Sequence, residues 1–190
     1  WTGNVDTNWF NVKNWNNCAV PGSGTNVDIP TGRPNYPKIT SGTAECNKLH
    51  IRDAAKLEIT GGVLNVRSTE NHDCLYLHSG STFTASGGTV YVRKSIDNLN
   101  GTANFTGANV TVDYCLYNHD NYTSSVMNIT GGTVNALYIP NYSGTINHSG
   151  GRLITRQYYH EHDSSNGGRY KGSGSAIFES RGTYFYLRMP

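Results

Sequence analysis

The sequence has few charged residues, no long apolar run and no sustained helical pattern. The missing helical pattern argues against a helical protein, and the other two absences each argue against a further class. Charged residues make up 15% of the chain, and 15 basic against 13 acidic residues give a net charge of only +2. No cluster of lysine and arginine could follow a phosphate backbone, which argues against a nucleic-acid partner. No apolar segment approaches the length of a membrane span, so we expect no membrane-spanning segment.

Cysteines are also few, and their spacing excludes the common metal motifs. The four lie at positions 18, 46, 74 and 115, without a Cys-x-x-Cys pair or the Cys/His spacing of a zinc site. We therefore predict no metal and no cofactor. Disulfides in an oxidising compartment are the favoured use of these residues. The chain opens on Trp1 rather than methionine, which indicates an exported protein whose signal peptide has been removed.

What the sequence does contain is a repeat of about 21 residues. Each repeat opens with an apolar-polar-apolar triplet, continues with a second triplet, and after a glycine turn reaches a third. Three short strands per repeat are typical of a right-handed three-sided parallel β-helix, here with about seven coils stacked about 4.8 Å apart. A β-sandwich is the alternative, but it does not explain why the triplets recur at so constant an interval. The opening triplets begin at Val27, Leu49, Leu75, Ile96, Leu116, Leu137 and Tyr158.

The repeat predicts a single all-β domain with an N-terminal cap. Residues 1–26 precede the first triplet and hold all three tryptophans, so they are expected to cover one end of a β-helix that runs over residues 27–190. Within a triplet, the two outer residues should face the interior and the middle one the solvent. Glycine pairs should turn the corners, and they lie at 61–62, 87–88, 131–132 and 150–151.

Several N-terminal segments carry a resemblance to a known group of proteins. They are the opening WTGNVDTNWFNVKNW, the turn Cys18 to Pro21, NVDIP at 26–30, YPKI at 36–39, and Cys46 before LHI. This order resembles the start of repeat regions in secreted bacterial cell-surface, adhesin-like proteins of β-helical type. The resemblance covers about the first 66 residues. It implies secretion and an extracellular, cell-surface location, but no reaction.

The resemblance also implies a disulfide between Cys18 and Cys46, which would tie the cap to the first coil. The other two cysteines, Cys74 and Cys115, both precede an opening triplet and lie two coils, or about 9.6 Å, apart. That distance exceeds the reach of a disulfide, so the geometry predicts that they stay unpaired. The alternative, that four cysteines form two bridges, remains open.

The exposed middle positions of the opening triplets are rich in tyrosine. At strand spacing, such rings would form an aromatic strip able to hold sugar rings or a partner chain. The alternative is that tyrosine simply favours exposed strands and pairs across them. The strip would consist of Tyr76, Tyr117, Tyr138 and Tyr159.

The segment YYHEHD holds the densest set of titratable side chains. Weak candidates for acid–base work are His160, Glu161, His162 and Asp163, with Arg169 close in sequence. Alternating histidines on a strand are a weak metal motif, and the segment opens a polar loop, so a solvated loop start is the favoured interpretation. No catalytic residue is assigned.

Seven Asn-x-Ser/Thr sequons occur along the chain. Those in the second strands would be stacked outward, where neighbouring glycans would crowd each other. Glycosylation is therefore expected at corner positions, with one further candidate at a strand start. Without glycosylation, stacked asparagines would form hydrogen-bonded ladders. The favoured sites are Asn100, Asn121, Asn141 and Asn109.

Together these patterns favour a secreted structural or adhesive unit of the cell surface over an enzyme. The apolar C-terminal coil would dock head to tail on the tryptophan-rich face of the next copy and give a filament. The alternatives are a carbohydrate-active β-helix, a lyase or hydrolase acting near His160 to Arg169, and a passive glycan-binding module. Ice binding is disfavoured, because the exposed middle residues of the second and third strands mix Glu, Asn, Thr and Tyr. The expected contact residues are Trp1, Trp9, Trp15, Phe178, Tyr184, Phe185, Tyr186 and Leu187.

Overall fold

The computed structural model shows a chain built of short β-strands. It describes residues 1–70, 74–118, 125–160 and 168–187. Within these ranges there is no α-helix, one 3-10 helix at Val12–Asn14, and no helix with the length and apolar character of a membrane span. The strands are β1 (Val27–Ile29), β2 (Lys38–Ile39), β3 (Thr43–Cys46), β4 (Leu49–Ile51), β5 (Lys56–Ile59), β6 (Val63–Val66), β7 (Leu75–Leu77), β8 (Thr82–Ala85), β9 (Thr89–Val92), β10 (Ser95–Asn98), β11 (Thr102–Phe105), β12 (Asn109–Asn118), β13 (Val126–Ile129), β14 (Thr133–Pro140), β15 (Thr145–His148), β16 (Arg152–His160), β17 (Arg169–Gly172) and β18 (Ile177–Leu187).

The strands stack in three columns, called walls below, and every pairing among the described strands is parallel. The second wall is the seven-stranded sheet β2-β5-β8-β11-β13-β15-β17. The first wall begins with β1, β4, β7 and β10, and the third wall with β3, β6 and β9. Both continue through the long strands β12, β14, β16 and β18, which run from the third wall into the first and join the two in an 11-stranded sheet.

The predicted parallel β-solenoid is confirmed. Its second wall has seven strands and therefore six returns of the chain, so the solenoid makes about six turns, close to the expected seven coils. Right-handedness and the role of residues 1–26 as a cap stay predictions.

Alternation of apolar and polar residues forms the core. In β8, Phe83 and Ala85 are fully buried while Thr82 and Thr84 are partly exposed. The same pattern in successive strands gives one apolar cluster, whose members run along the chain from Trp1 to Leu153. Each fully buried large side chain contributes about 1.5–3 kcal/mol. This interior stabilises the stack, because a single coil has no second layer to bury its apolar face.

The predicted glycine corners are confirmed by backbone geometry. The second glycine of each pair has a positive φ, for example 73° at Gly88. A Cβ atom there would lie 2.4 Å from the carbonyl oxygen of Gly62 in the preceding coil. Only glycine fits such a corner, because both the left-handed backbone and the close approach of the neighbouring coil exclude a side chain.

A register shift interrupts the long strands of the 11-stranded sheet. β12 and β14 are aligned as far as Val112 opposite Ala136, and the next pair is Cys115 opposite Tyr138. One extra residue on β12 forms a bulge at the corner between two walls. The triplet alignment had paired Tyr138 with Tyr117, and this pairing is wrong.

The N-terminal segment packs its tryptophans inward. Trp1, Trp9 and Trp15 have only 7%, 0% and 5% of their surface exposed. Trp15 contacts both other indoles edge-on at centroid distances of 4.9 Å, and its Nε1 donates to the carbonyl oxygen of Trp9 at 2.8 Å. The segment also extends the second wall, since the amide of Lys38 donates to the carbonyl oxygen of Thr7.

The expectation that these tryptophans form a docking face is therefore wrong, because they belong to the core of their own chain. At the other end, Phe178 packs against Tyr170 with ring centroids 5.6 Å apart and is only partly exposed. Tyr184 to Leu187 pair through their backbone with β16, and their side chains lie outside the described part of the structure.

The four cysteines are free thiols. Cys18 is exposed, whereas Cys46 is fully buried with its sulfur 4.0 Å from the carbonyl oxygen of Asn65. The implied Cys18–Cys46 bridge is therefore not formed, because one sulfur is at the surface and the other in the interior. Cys74 and Cys115 are also unpaired, as the geometry predicts, and Ser95 stands between them in register.

Candidate functional site

A cluster of rings and charges on the outer face of the first wall is the candidate functional site. It consists of Asp28, His50, Arg52, Tyr76 and His78, and is called the ring cluster below. Three of its members are middle residues of consecutive strands, so in-register pairing of β1, β4 and β7 aligns them. The other two follow β4 and β7 by one residue and point outward by the two-residue period of a strand.

The three rings of the ring cluster are stacked. His50 lies 4.9 Å from Tyr76 and 5.4 Å from His78 by ring centroids, and Tyr76 lies 5.8 Å from His78. The interplanar angles are only 25–30°. All three side chains are partly exposed, so the ring cluster presents flat aromatic surface to the solvent.

Hydrogen bonds fix the orientation of these rings. Arg52 Nη1 lies 3.2 Å from Nε2 of His78, and Nδ1 of His50 lies 3.2 Å from the same nitrogen. Because arginine can only donate, Nε2 of His78 must be the acceptor and its proton must lie on Nδ1. Arg52 in turn binds Oδ1 of Asp28 at 2.6 Å through both Nε and Nη2.

Electrostatics keeps His78 neutral. Its pKa is lowered below the usual histidine value, first by burial and then by the neighbouring Arg52. Because its Nε2 lone pair is already directed at Arg52 and His50, neutral His78 orients its neighbours and is poorly suited to proton transfer near neutral pH. Flat rings beside fixed donors and acceptors are what a sugar ring requires of a protein surface.

A cavity lies beside the ring cluster and shares Asp28 with it. Its volume is about 150 Å³. The lining includes indole, amide and hydroxyl groups, which are also the groups that recognise sugars. The lining residues are Trp1, Trp15, Asn16, Asn17, Pro21, Thr25, Asn26, Val27 and Asp28.

The predicted tyrosine strip is not continuous. Tyr76 belongs to the ring cluster, but the next position in its row is Asp97, which is 5% exposed and accepts a hydrogen bond from Ser95 at 2.6 Å. Tyr117 follows, whereas Tyr138 lies opposite Cys115 because of the register shift. Tyr159 pairs through its backbone with Pro140, and its side chain is outside the described part.

The structure tests little of the YYHEHD segment. Glu161, His162 and Asp163 lie outside the described residues, as does the side chain of His160. Arg169 is an exposed residue of β17. In the described ranges, no group of three or more His, Cys, Asp or Glu side chains could hold a metal ion.

The predicted glycosylation sites differ in accessibility. Asn109 is exposed at the start of β12, and Asn100 is partly exposed with a positive φ of 69°. Asn141 is fully buried and its amide is hydrogen-bonded, so its selection as a glycosylation site is wrong. Asn121 lies outside the described residues.

Sequence reasoning missed two of the five residues of the ring cluster. It placed His50 and Tyr76 on the outer face, which the structure confirms, but assigned no role to Arg52 or His78. Both residues fall just after a triplet, where the triplet pattern carries no information. Extending each triplet by one residue and aligning LHIR with LYLH would have brought the four side chains together.

The fold and the ring cluster define a class, that of parallel β-solenoids with an exposed surface of stacked rings. Residues 1–169 match a family model described as a domain of unknown function, DUF8693, so the chain belongs to that family. No curated protein and no solved structure matches the chain.

Proposed function

We propose that this chain is a secreted, extracellular structural or adhesive β-solenoid of a cell surface. The observation that supports it best is the combination of a continuous core with side-chain ladders that cross from coil to coil. Asn98, Asn118 and Asn141 form such a ladder inside the solenoid, with amide-to-amide distances of 2.8 and 3.0 Å. Ladders of this kind hold successive coils in one register and stiffen the stack.

Head-to-tail self-association remains part of this proposal, with a changed contact. The tryptophans are buried, so the supporting feature is backbone: β18 pairs with β16 alone among the described strands and offers its other edge for parallel addition. Size-exclusion chromatography with negative-stain microscopy of the purified chain tests it. Filaments or a ladder of oligomers are expected, and a strictly monomeric chain at high concentration would refute self-association.

The ring cluster supports glycan binding as the adhesive activity. Stacked His50 and Tyr76, with Arg52 and Asp28 beside them, form a surface that can contact the face of a sugar and bind its hydroxyl groups. Pull-down with insoluble polysaccharides, followed by calorimetry with neutral and acidic oligosaccharides, tests this proposal. Replacement of Tyr76 by alanine should weaken binding by about tenfold.

Tyr91 supplies the matched control. It is also a half-exposed middle residue of its strand, but it lies on the third wall, where its hydroxyl binds Asp113. Y91A should leave binding unchanged. Equal loss in both variants, or no binding by the unmodified chain, would exclude the ring cluster. New reducing ends or unsaturated products in the same incubations would instead support the carbohydrate-active alternative.

A further inference from the structure

On four of its seven strands, the second wall carries a regular array of small uncharged side chains on its outer face. Four segments build it, Thr82–Ser86, Thr102–Thr106, Val126–Thr130 and Thr145–Ser149, which read TFTAS, TANFT, VMNIT and TINHS. Their first, third and fifth residues face outward, which gives Thr-Thr-Ser, Thr-Asn-Thr, Val-Asn-Thr and Thr-Asn-Ser. We call this array the threonine–asparagine face.

The rows of this face are straight. Pairing of β8, β11, β13 and β15 runs without a register shift, in contrast to the 11-stranded sheet. Backbone bonds from Thr106, Thr130 and Ser149 to the preceding coil continue the ladder to the fifth position. Outward groups therefore repeat about every 4.8 Å along the stack and about every 6.6 Å along each strand.

Hydrogen bonds hold the middle row in place before any ligand arrives. Asn147 Nδ2 donates to Asn128 Oδ1 at 2.9 Å, and Asn128 Nδ2 donates to Asn104 Oδ1 at 2.8 Å. Asn104 then donates to the hydroxyl of Thr84 at 3.3 Å. The ladder fixes the rotamers of these side chains, so binding does not have to restrict them.

The composition of the face indicates what it can bind. Its twelve outward positions contain no charge and no aromatic ring. Protein partners select aromatic and arginine side chains, and the face of a sugar ring stacks on aromatic rings, and this array contains neither. A two-dimensional lattice of hydroxyl, amide and methyl groups instead matches ordered water, because hexagonal ice repeats at similar distances along two perpendicular directions.

We propose that the threonine–asparagine face binds ice. The middle residues alone disfavoured this activity. The structure adds two further rows of outward residues, one on each side of the middle row. Strands β8, β11, β13 and β15 each pair over four residues rather than three, and the fifth residue of each segment is also exposed. Val126 has the shape of threonine without the hydroxyl and is the one gap in the first row. The activity is independent of the ring cluster, which lies on the first wall.

Ice-recrystallisation inhibition and thermal hysteresis of the purified chain test the proposal. The unmodified chain should inhibit recrystallisation. T102Y, which places a bulky ring in the array, should require about tenfold more protein for the same effect. V126T, which completes the first row, should require less protein than the unmodified chain.

Thr111 provides a matched control. It is a half-exposed threonine of β12 and faces outward from the third wall. T111Y should inhibit recrystallisation as well as the unmodified chain, and the thermal unfolding of each variant shows that it folds. Inactivity of the unmodified chain overturns the proposal, as does equal loss in T102Y and T111Y. Retention on insoluble cellulose or chitin that T102Y abolishes, without an effect on ice, would assign the face to a crystalline polysaccharide instead.

Discussion

Nδ2 of Asn118 donates a hydrogen bond to Oδ1 of Asn141 at 3.0 Å, with both side chains fully buried. Asn98 donates to Asn118 from the other side at 2.8 Å, and its own Oδ1 accepts from the amide of Gly101. These amides replace the apolar residues Ile51 and Leu77 that hold the same corner in earlier coils. The corner is therefore polar inside only in the later part of the solenoid.

Replacing Asn118 with alanine should destabilise the chain by about 1–3 kcal/mol, because Nδ2 of Asn98 loses one of its two acceptors and Oδ1 of Asn141 loses its donor. Urea unfolding followed by circular dichroism measures the change. Asn135, an exposed residue of β14, is the matched control, and N135A should change stability by less than about 0.5 kcal/mol. Equal effects of the two substitutions would show that the ladder adds nothing.

Gly88→Ala should destabilise the solenoid by more than about 1 kcal/mol, because the new methyl group would meet the carbonyl oxygen of Gly62 and the backbone is left-handed. Gly24→Ala is the control, since a Cβ atom there has nothing within 4 Å. Thermal unfolding of both variants measures the difference. A melting temperature of G88A equal to that of G24A would contradict the corner geometry.

The stability of the chain should fall as the pH drops below about 6.5, the usual histidine pKa. His148 is fully buried and its pKa is lowered by burial. Its Nε2 donates to the carbonyl oxygen of Gly151 at 3.2 Å, so its Nδ1 accepts from the hydroxyl of Tyr170 at 2.7 Å. In the folded chain it stays neutral, while the unfolded chain takes up a proton, so its contribution is complete above the unfolded pKa and is lost below it.

Urea unfolding at pH 8 and pH 5 checks this expectation. H148Q should flatten the pH dependence, and H78N should do so in part, because the pKa of His78 is lowered too. The same dependence in H148Q and in the unmodified chain would exclude His148 as its source.

Thiol labelling of the native chain should modify one cysteine rapidly, Cys18, and the other three only after denaturation. Reaction requires the thiolate, and burial raises the pKa of Cys46, Cys74 and Cys115. C18S should abolish the rapid phase. A native chain without a rapid thiol, and with only two thiols after denaturation, would instead reveal a Cys18–Cys46 bridge.

Expression in a glycosylating host should modify Asn109 but not Asn141. The first is exposed, whereas the second is fully buried and bonded to Asn118. Peptide mass spectrometry distinguishes the two sites. A glycan on Asn141 would mean that the chain is modified before it folds and that the interior ladder is absent from the modified form.

The sequence predicted the walls well because alternation is a local property. The second-wall strands β5, β8, β11, β13 and β15 all alternate exposed or partly exposed residues with buried ones, and each glycine pair marks a corner. The triplet rule placed Asn98 and Asn118 inside the solenoid, but it did not predict that their side-chain amides form a hydrogen-bonded ladder with Asn141. Nor could it locate the bulge beyond Val112, because one extra residue leaves the spacing of the repeats almost unchanged.

The candidate sites show the same difference between residues that a local pattern predicts and residues that it does not. His50 and Tyr76 were placed correctly because they are middle residues of triplets, whereas Arg52 and His78 lie beyond them. The depth of Asp97 and of the tryptophans depends on what packs over them, and that is a property of the whole chain rather than of a repeat.

The unshifted pairing of the second wall has an evolutionary consequence. Each coil there repeats the backbone of its neighbours, so duplication or loss of a whole coil would change the length of the molecule while preserving every row on that wall. The long strands of the 11-stranded sheet have no such freedom, because their pairing shifts register between β12 and β14 and again between β16 and β18. Members of the family that differ in length should therefore gain or lose coils among β8 to β11, and the bulged corner should mark a fixed point between two segments that evolve at different rates.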